Sequence, residues 1–127
     1  MRVLVAEDSS TARELLVGIL GSEPAAMKVI GEARNGLEAV ELAKRLRPDI
    51  VTMDVRMPHL DGLEATRRIM IEAPTPVVIV SGIESSEVET SLEALRAGAL
   101  AVLEKPPGPL VPGFEERRAR LVETVRL

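Results

Sequence analysis

Four short apolar runs punctuate the chain, at Val3–Ala6, Ile50–Met53, Val77–Val80 and Ala101–Leu103, and Met27–Ile30 forms a weaker fifth. The runs are continuous rather than alternating, which is how strands buried on both faces of a parallel sheet read. Between them, apolar residues fall at helical spacing: Leu15, Leu16, Ile19 and Leu20; Ala39, Val40, Ala43 and Leu46; Ile69 and Met70; Val88, Leu92 and Leu95. The boundary residues agree with this division. Ser9 or Ser10 is placed to cap the first helix, Pro48 to end the second, Pro74 and Pro76 to bracket the start of the fourth strand, and Gly98 to follow the fourth helix. A last helix is expected from Phe114 to Arg126.

Strand and helix thus alternate five times. Right-handed crossovers with helices on both faces leave few topologies for such a chain. The expected fold class is α/β: a (βα)5 flavodoxin-like three-layer sandwich with a five-stranded parallel sheet in the order 2-1-3-4-5. At 127 residues the chain is expected to be a single domain over 1–127, with a core at 1–106, a Pro/Gly-rich loop at 106–113 and a C-terminal helix at about 114–126. A hydrophobic share of 46% supplies a core, but Phe114 is the only aromatic residue, so aliphatic and Met side chains must fill it and aromatic stacking on bases is excluded. Sixteen basic against twenty acidic residues give a net charge of −4, which argues against direct nucleic-acid or membrane-surface binding and points to proteins and cations as partners. Without cysteine there is no disulfide, thiol nucleophile or Cys-based zinc site, and a reducing compartment, the cytoplasm, is expected. The first apolar run is too short for a signal-peptide core or a membrane span. His59 is the only histidine and no Gly-x-Ser-x-Gly elbow occurs, which disfavours serine-hydrolase chemistry.

In a parallel sheet the C-terminal strand ends share one edge, so residues that follow each run are brought together from distant parts of the chain. Here these are Glu7 and Asp8, then Asp54, then Ser81 and Gly82, then Glu104 and Lys105. Singly, an Asp or Ser at such a place reads as a helix cap or turn residue. Together, carboxylates at close range repel unless one stays protonated or a cation intervenes. An all-oxygen donor set without His or Cys suits a hard ion, and one with few protein ligands suits Mg2+ better than a Ca2+ cage. A divalent ion beside a carboxylate and a lysine is the equipment of phosphoryl transfer, with Asp54, after the central strand, as the nucleophile. Lys105 precedes Pro106, where a cis bond would turn the ammonium back over the strand ends.

These residues resemble those of the response-regulator receiver family, the phosphoacceptor domains of two-component signalling. Glu7-Asp8 with Ser9, Pro48-Asp49-Ile50-Val51 leading to Asp54, then Met57-Pro58, Asp61-Gly62, Ser81, Gly98-Ala99 and Lys105-Pro106 fit the family in order and spacing over roughly residues 1 to 106. Val51-Thr52-Met53-Asp54-Val55, Arg68-Ile69-Met70 and Thr75-Pro76-Val77-Val78 are similar to the receivers of chemotaxis protein-glutamate methylesterases, whose catalytic domain would not fit after residue 106. The resemblance implies that Asp54 takes a phosphoryl group from a histidine kinase. It also implies that Asp8, Asp54 and the Arg56 backbone carbonyl hold Mg2+, with Glu7 acting through a bound water. Ser81 and Lys105 would bind the phosphoryl group. The chain itself would then catalyse only its own phosphorylation and dephosphorylation, and would switch an output domain or protein partner.

Two departures from the family pattern bear on the switch. Position 102, commonly Phe or Tyr in receivers, is Val102, so output is expected to pass through backbone or loop movement, and Gly82 beside Ser81 gives that loop added freedom. Arg56 replaces the acid usual in methylesterase receivers, with Glu7, Glu104 or the phosphoryl group as its possible partners. Two other readings compete: a receiver-like interaction module that takes no phosphate, and a phosphatase with an Asp nucleophile, whose second Asp would stand where Arg56 does.

Overall fold

The computed structural model of the protein describes residues 1–22, 27–82 and 88–126. Its elements are β1 (Arg2–Ala6), α1 (Ser10–Gly21), β2 (Lys28–Ala33), α2 (Gly36–Leu46), β3 (Ile50–Met53), α3 (Gly62–Glu72), β4 (Val77–Ser81), α4 (Val88–Ala97), β5 (Ala101–Glu104) and α5 (Phe114–Arg126). All strand pairs are parallel, and the order β2-β1-β3-β4-β5 is the one the alternation of runs predicts.

The two faces of the sheet explain the unbroken runs. Val3, Val5, Ile50, Val78 and Val80 pack against α1 and α5, where Leu16, Ile19, Leu20, Leu121, Val122 and Val125 meet them. Leu4, Ala6, Val51, Met53, Val77 and Ile79 face α2, α3 and α4. Successive side chains of a strand therefore enter different cores, and no polar alternation is left to see. The edge strand β2 is different. Its Lys28 and Glu32 are exposed, so the strand continues three residues past the apolar stretch Met27–Ile30 that marks it.

The helical stripe read for α4 is corrected. Leu92 and Leu95 are 48% and 51% exposed, while Ala94 and Ala97 are buried; the Val88 side chain lies outside the described residues. The cause is close approach of α4 to α3. Gly98 follows α4 with φ +111°, and a Cβ there would stand 2.7 Å from Met70 Cγ, leaving room only for small residues along that seam.

The loops that carry the strand ends are pinned by caps. Ser9 Oγ accepts from the Ala12 N–H, Asn35 caps α2 and Asp61 caps α3. Beyond Asp61, α3 starts directly against the end of β3. The Gly62 N–H donates to the Val55 carbonyl at 2.7 Å, and a Cβ on Gly62 would fall on the Asp54 carbonyl oxygen. Glycine is required there for close approach, and that approach fixes the backbone of Asp54. Gly62→Ala is expected to lower stability by about 1–3 kcal/mol, the range for overpacking. Urea unfolding followed by circular dichroism measures it, since the chain has neither Trp nor Tyr; an unchanged midpoint would show that α3 can move away freely.

Candidate functional site

Backbone pairing runs one residue past several strands and carries the polar residues with it. The Glu7 N–H donates to the Ala33 carbonyl at 2.9 Å, Asp54 to Ala6 at 3.0 Å, and Lys105 to Ser81 at 2.8 Å. Four of the expected residues therefore stand at one edge of the sheet, positioned by its own hydrogen bonds rather than by flexible loops.

Their charges are crowded. Glu7 is fully buried and Asp54 nearly so, while Asp8 is exposed, and carboxylate oxygens of all three lie within 4.8 Å of one another. Lys105 reaches between them, its Nζ 2.7 Å from Glu7 Oε1 and 3.3 Å from Asp54 Oδ2. Glu7 Oε2 accepts from the Ser9 N–H at 3.2 Å. Glu7 Oε1 is buried, and its close partner is the Lys105 ammonium. Burial, reinforced by the neighbouring Glu7 carboxyl, raises Asp54 from its ordinary 3.8 to about 7 against the pull of Lys105. Burial works against the Lys105 charge, but Glu7 and Asp54 together outweigh it and its pKa is raised. Three carboxylates beside one ammonium leave excess negative charge at the site. That donor set fits a hard divalent cation.

The comparisons with known proteins decide the family. The family model described as "Response regulator receiver domain" matches residues 3–110. The chain belongs to the response regulator receiver family. This receiver domain is 61% identical over 126 residues to a protein-glutamate methylesterase/protein-glutamine glutaminase of Myxococcus xanthus, covering 99% of the chain and 35% of that protein. A counterpart in Anaeromyxobacter dehalogenans is 54% identical over 99% of the chain and 36% of its own length. The chain thus spans about a third of these relatives. Among solved structures, the response regulator domain of Thermotoga maritima CheB superposes with a TM-score of 0.88 at 44% identity, covering 99% of this chain and 93% of that one. A CheX–CheY–BeF3–Mg complex from Borrelia burgdorferi gives a TM-score of 0.82 at 28% identity, covering 98% of this chain and 86% of that one.

The remaining site residues are less tightly gathered. Ser81 ends β4, is buried, and with Val102, Leu103 and Arg117 lines a cleft of about 400 Å3 beside α5. Gly82 has an ordinary φ, and a Cβ on it would meet open space, so the backbone here does not demand glycine; residues 83–87 lie outside the described ones. Arg56 is exposed, and neither candidate ion-pair partner takes it: Glu7 pairs with Lys105, and Glu104 with Arg117 at 2.8 Å. The cis arrangement considered for Lys105–Pro106 is absent, and Lys105 reaches the carboxylates through a trans bond. The sequence reading had Gly62 only as part of a motif and missed Arg13. Gly62 sits under Asp54, and Arg13, buried on α1, donates from Nη1 to the Glu7 carbonyl at 3.0 Å.

The raised Asp54 pKa has a stability consequence of definite sign. The folded domain keeps this proton up to about pH 7, whereas the unfolded chain loses it near 3.8, so between those values the group removes stability as pH rises. In metal-free buffer the stability of Asp54→Asn relative to the parent chain is expected to grow from about pH 4.5 to about pH 7 and to level off above. Urea unfolding at each pH tests this; a difference that stays flat would place the Asp54 pKa near its ordinary value.

Proposed function

We propose that Asp54 accepts a phosphoryl group from the phosphohistidine of a kinase. The reading is carried by one observation, the buried Asp54 carboxyl held between an acidic pair and Lys105 at the end of the central strand. Asp8, Asp54 and the Arg56 backbone carbonyl are the assigned holders of Mg2+, with Glu7 acting through a bound water. The ion supplies neutralising charge for the equatorial phosphoryl oxygens and favours the anionic form of Asp54.

A carboxylate oxygen of Asp54 bonds to phosphorus as the donor's N–P bond breaks, and the imidazole leaves with the bonding pair. Such a transfer needs positioning and charge stabilisation more than covalent help from the protein. Lys105, 3.3 Å from Asp54 Oδ2, is placed to stay with the oxygens as charge builds. Ser81 donates its hydroxyl to a phosphoryl oxygen, and Val102 leaves the neighbouring cleft free for the resulting movement. The natural setting is chemotaxis-type signalling in the cytoplasm, with an output domain or protein partner as target; likeness to about a third of the length of methylesterase proteins favours a methylesterase as that output. A phosphatase is disfavoured because Arg56 stands where its second Asp would be.

Incubation with acetyl phosphate and Mg2+ is expected to add one base-labile phosphoryl group, read by intact-mass spectrometry, and Asp54→Asn is expected to abolish it. Equal labelling of the variant would assign the acceptor elsewhere, and no labelling of the parent chain would favour an interaction module that takes no phosphate.

A further inference from the structure

Among the described residues, three charged side chains are buried: Glu7, Asp54 and Arg13. The first two belong to the carboxylate cluster. Arg13 has its ion-pair partner, Glu32, outside the carboxylate cluster. Its Nη1 donates to the Glu7 carbonyl at 3.0 Å, and its Nε donates to Glu32 Oε1 at 3.2 Å. Its main-chain N–H donates to the Ser9 carbonyl at 2.8 Å. That main-chain bond is the first bond of α1, and what the Arg13 side chain adds is its hold on the turn just ahead of Asp8, through the Glu7 carbonyl.

The Glu7 carbonyl is half of the Glu7–Asp8 peptide plane. Rotation of that plane changes ψ of Glu7 and φ of Asp8, which set where the two acidic side chains point. The Glu7 N–H, bonded to Ala33, anchors the preceding peptide plane, and the Arg13 guanidinium holds the Glu7–Asp8 plane through its carbonyl. Glu32 is half exposed, and its ion pair orients the guanidinium without burying a second charge.

We propose that Arg13 is a positioning residue for the acidic pair: it locks the Glu7–Asp8 peptide plane and so holds both carboxylates toward Asp54 for Mg2+. The proposal rests on the reading of the cluster as a Mg2+ site. Simple electrostatics makes the opposite prediction, since removing a positive charge close to an acidic cluster should tighten cation binding. The sign of the effect therefore separates orientation from charge.

The test is a Mg2+ titration of the parent chain, Arg13→Gln, Arg13→Lys and Glu32→Gln, followed by amide NMR shifts at a temperature where each is folded, with unfolding midpoints measured in parallel. Arg13→Gln is expected to bind Mg2+ roughly tenfold more weakly, the low end for loss of a group that orients a metal ligand. Arg13→Lys, which keeps the charge but not the fork of donors, is expected to fall between, and Glu32→Gln within about twofold of the parent. Equal or tighter binding by folded Arg13→Gln, with only its midpoint lowered, would overturn the proposal. If Arg13→Gln does not fold, Arg13→Lys decides: weaker binding supports the proposal, while parent-like binding, or failure of both to fold, overturns it by making Arg13 a packing residue. Absence of Mg2+ binding in the parent chain would instead remove the underlying site reading.

Discussion

Burying two carboxyls against a single ammonium is the constraint around which this receiver domain is arranged. Glu7 and Asp54 are buried at adjacent strand ends, and among the described residues Lys105 is the cation that pairs with both. A charge taken from water is costly unless it is paired and hydrogen-bonded, and here the pairing is incomplete by design of the fold. The sheet supplies the rigidity that makes this tolerable. Asp54 is tied to Ala6, Glu7 to Ala33 and Lys105 to Ser81 through the main chain, so the like charges cannot simply swing apart. What remains is a site that holds a proton near neutral pH in the absence of a cation.

The same crowding bears on signalling. Moving a two-state equilibrium from 1:99 to 99:1 takes about 5.5 kcal/mol, whereas one charge-assisted hydrogen bond contributes about 1.5–3 kcal/mol. Ser81 acting alone on a phosphoryl group is therefore too weak for a full switch. On the proposed reading, Lys105 and a cation at the site would have to favour the same state, and because Lys105 is paired with Glu7 at 2.7 Å, its redistribution toward a phosphoryl group would be part of the energy balance. Val102 leaves a cleft of about 400 Å3 beside Ser81, where there is no large ring to lock either state. Both features fit a loose, graded response.

The chain's order of strands was readable because β1, β3 and β4 are buried on both faces, and their runs are apolar without interruption. That order in turn placed Glu7, Asp54, Ser81 and Lys105 at one edge from sequence alone. Elements governed by close packing were not readable in the same way. Among the described side chains of α4, Ala94 and Ala97 are buried, while the larger Leu92 and Leu95, which carry the visible periodicity, are about half exposed. Arg13 was invisible for a related reason: one arginine in an amphipathic helix reads as a solvated charge, and only the fold shows that it turns back onto a carbonyl six residues earlier. Gly62 gave a motif but not its cause, which is the carbonyl of Asp54 lying where a side chain would be.

If the buried acidic cluster is what calls for a cation, binding should expel the proton that stands in for it. Calorimetric titration of Mg2+ at pH 7 in buffers of different ionisation enthalpy counts those protons. With Asp54 titrating at about 7, roughly half a proton per ion is predicted there, rising toward one near pH 6 and vanishing near pH 9. Proton-neutral binding across the same range would contradict the account.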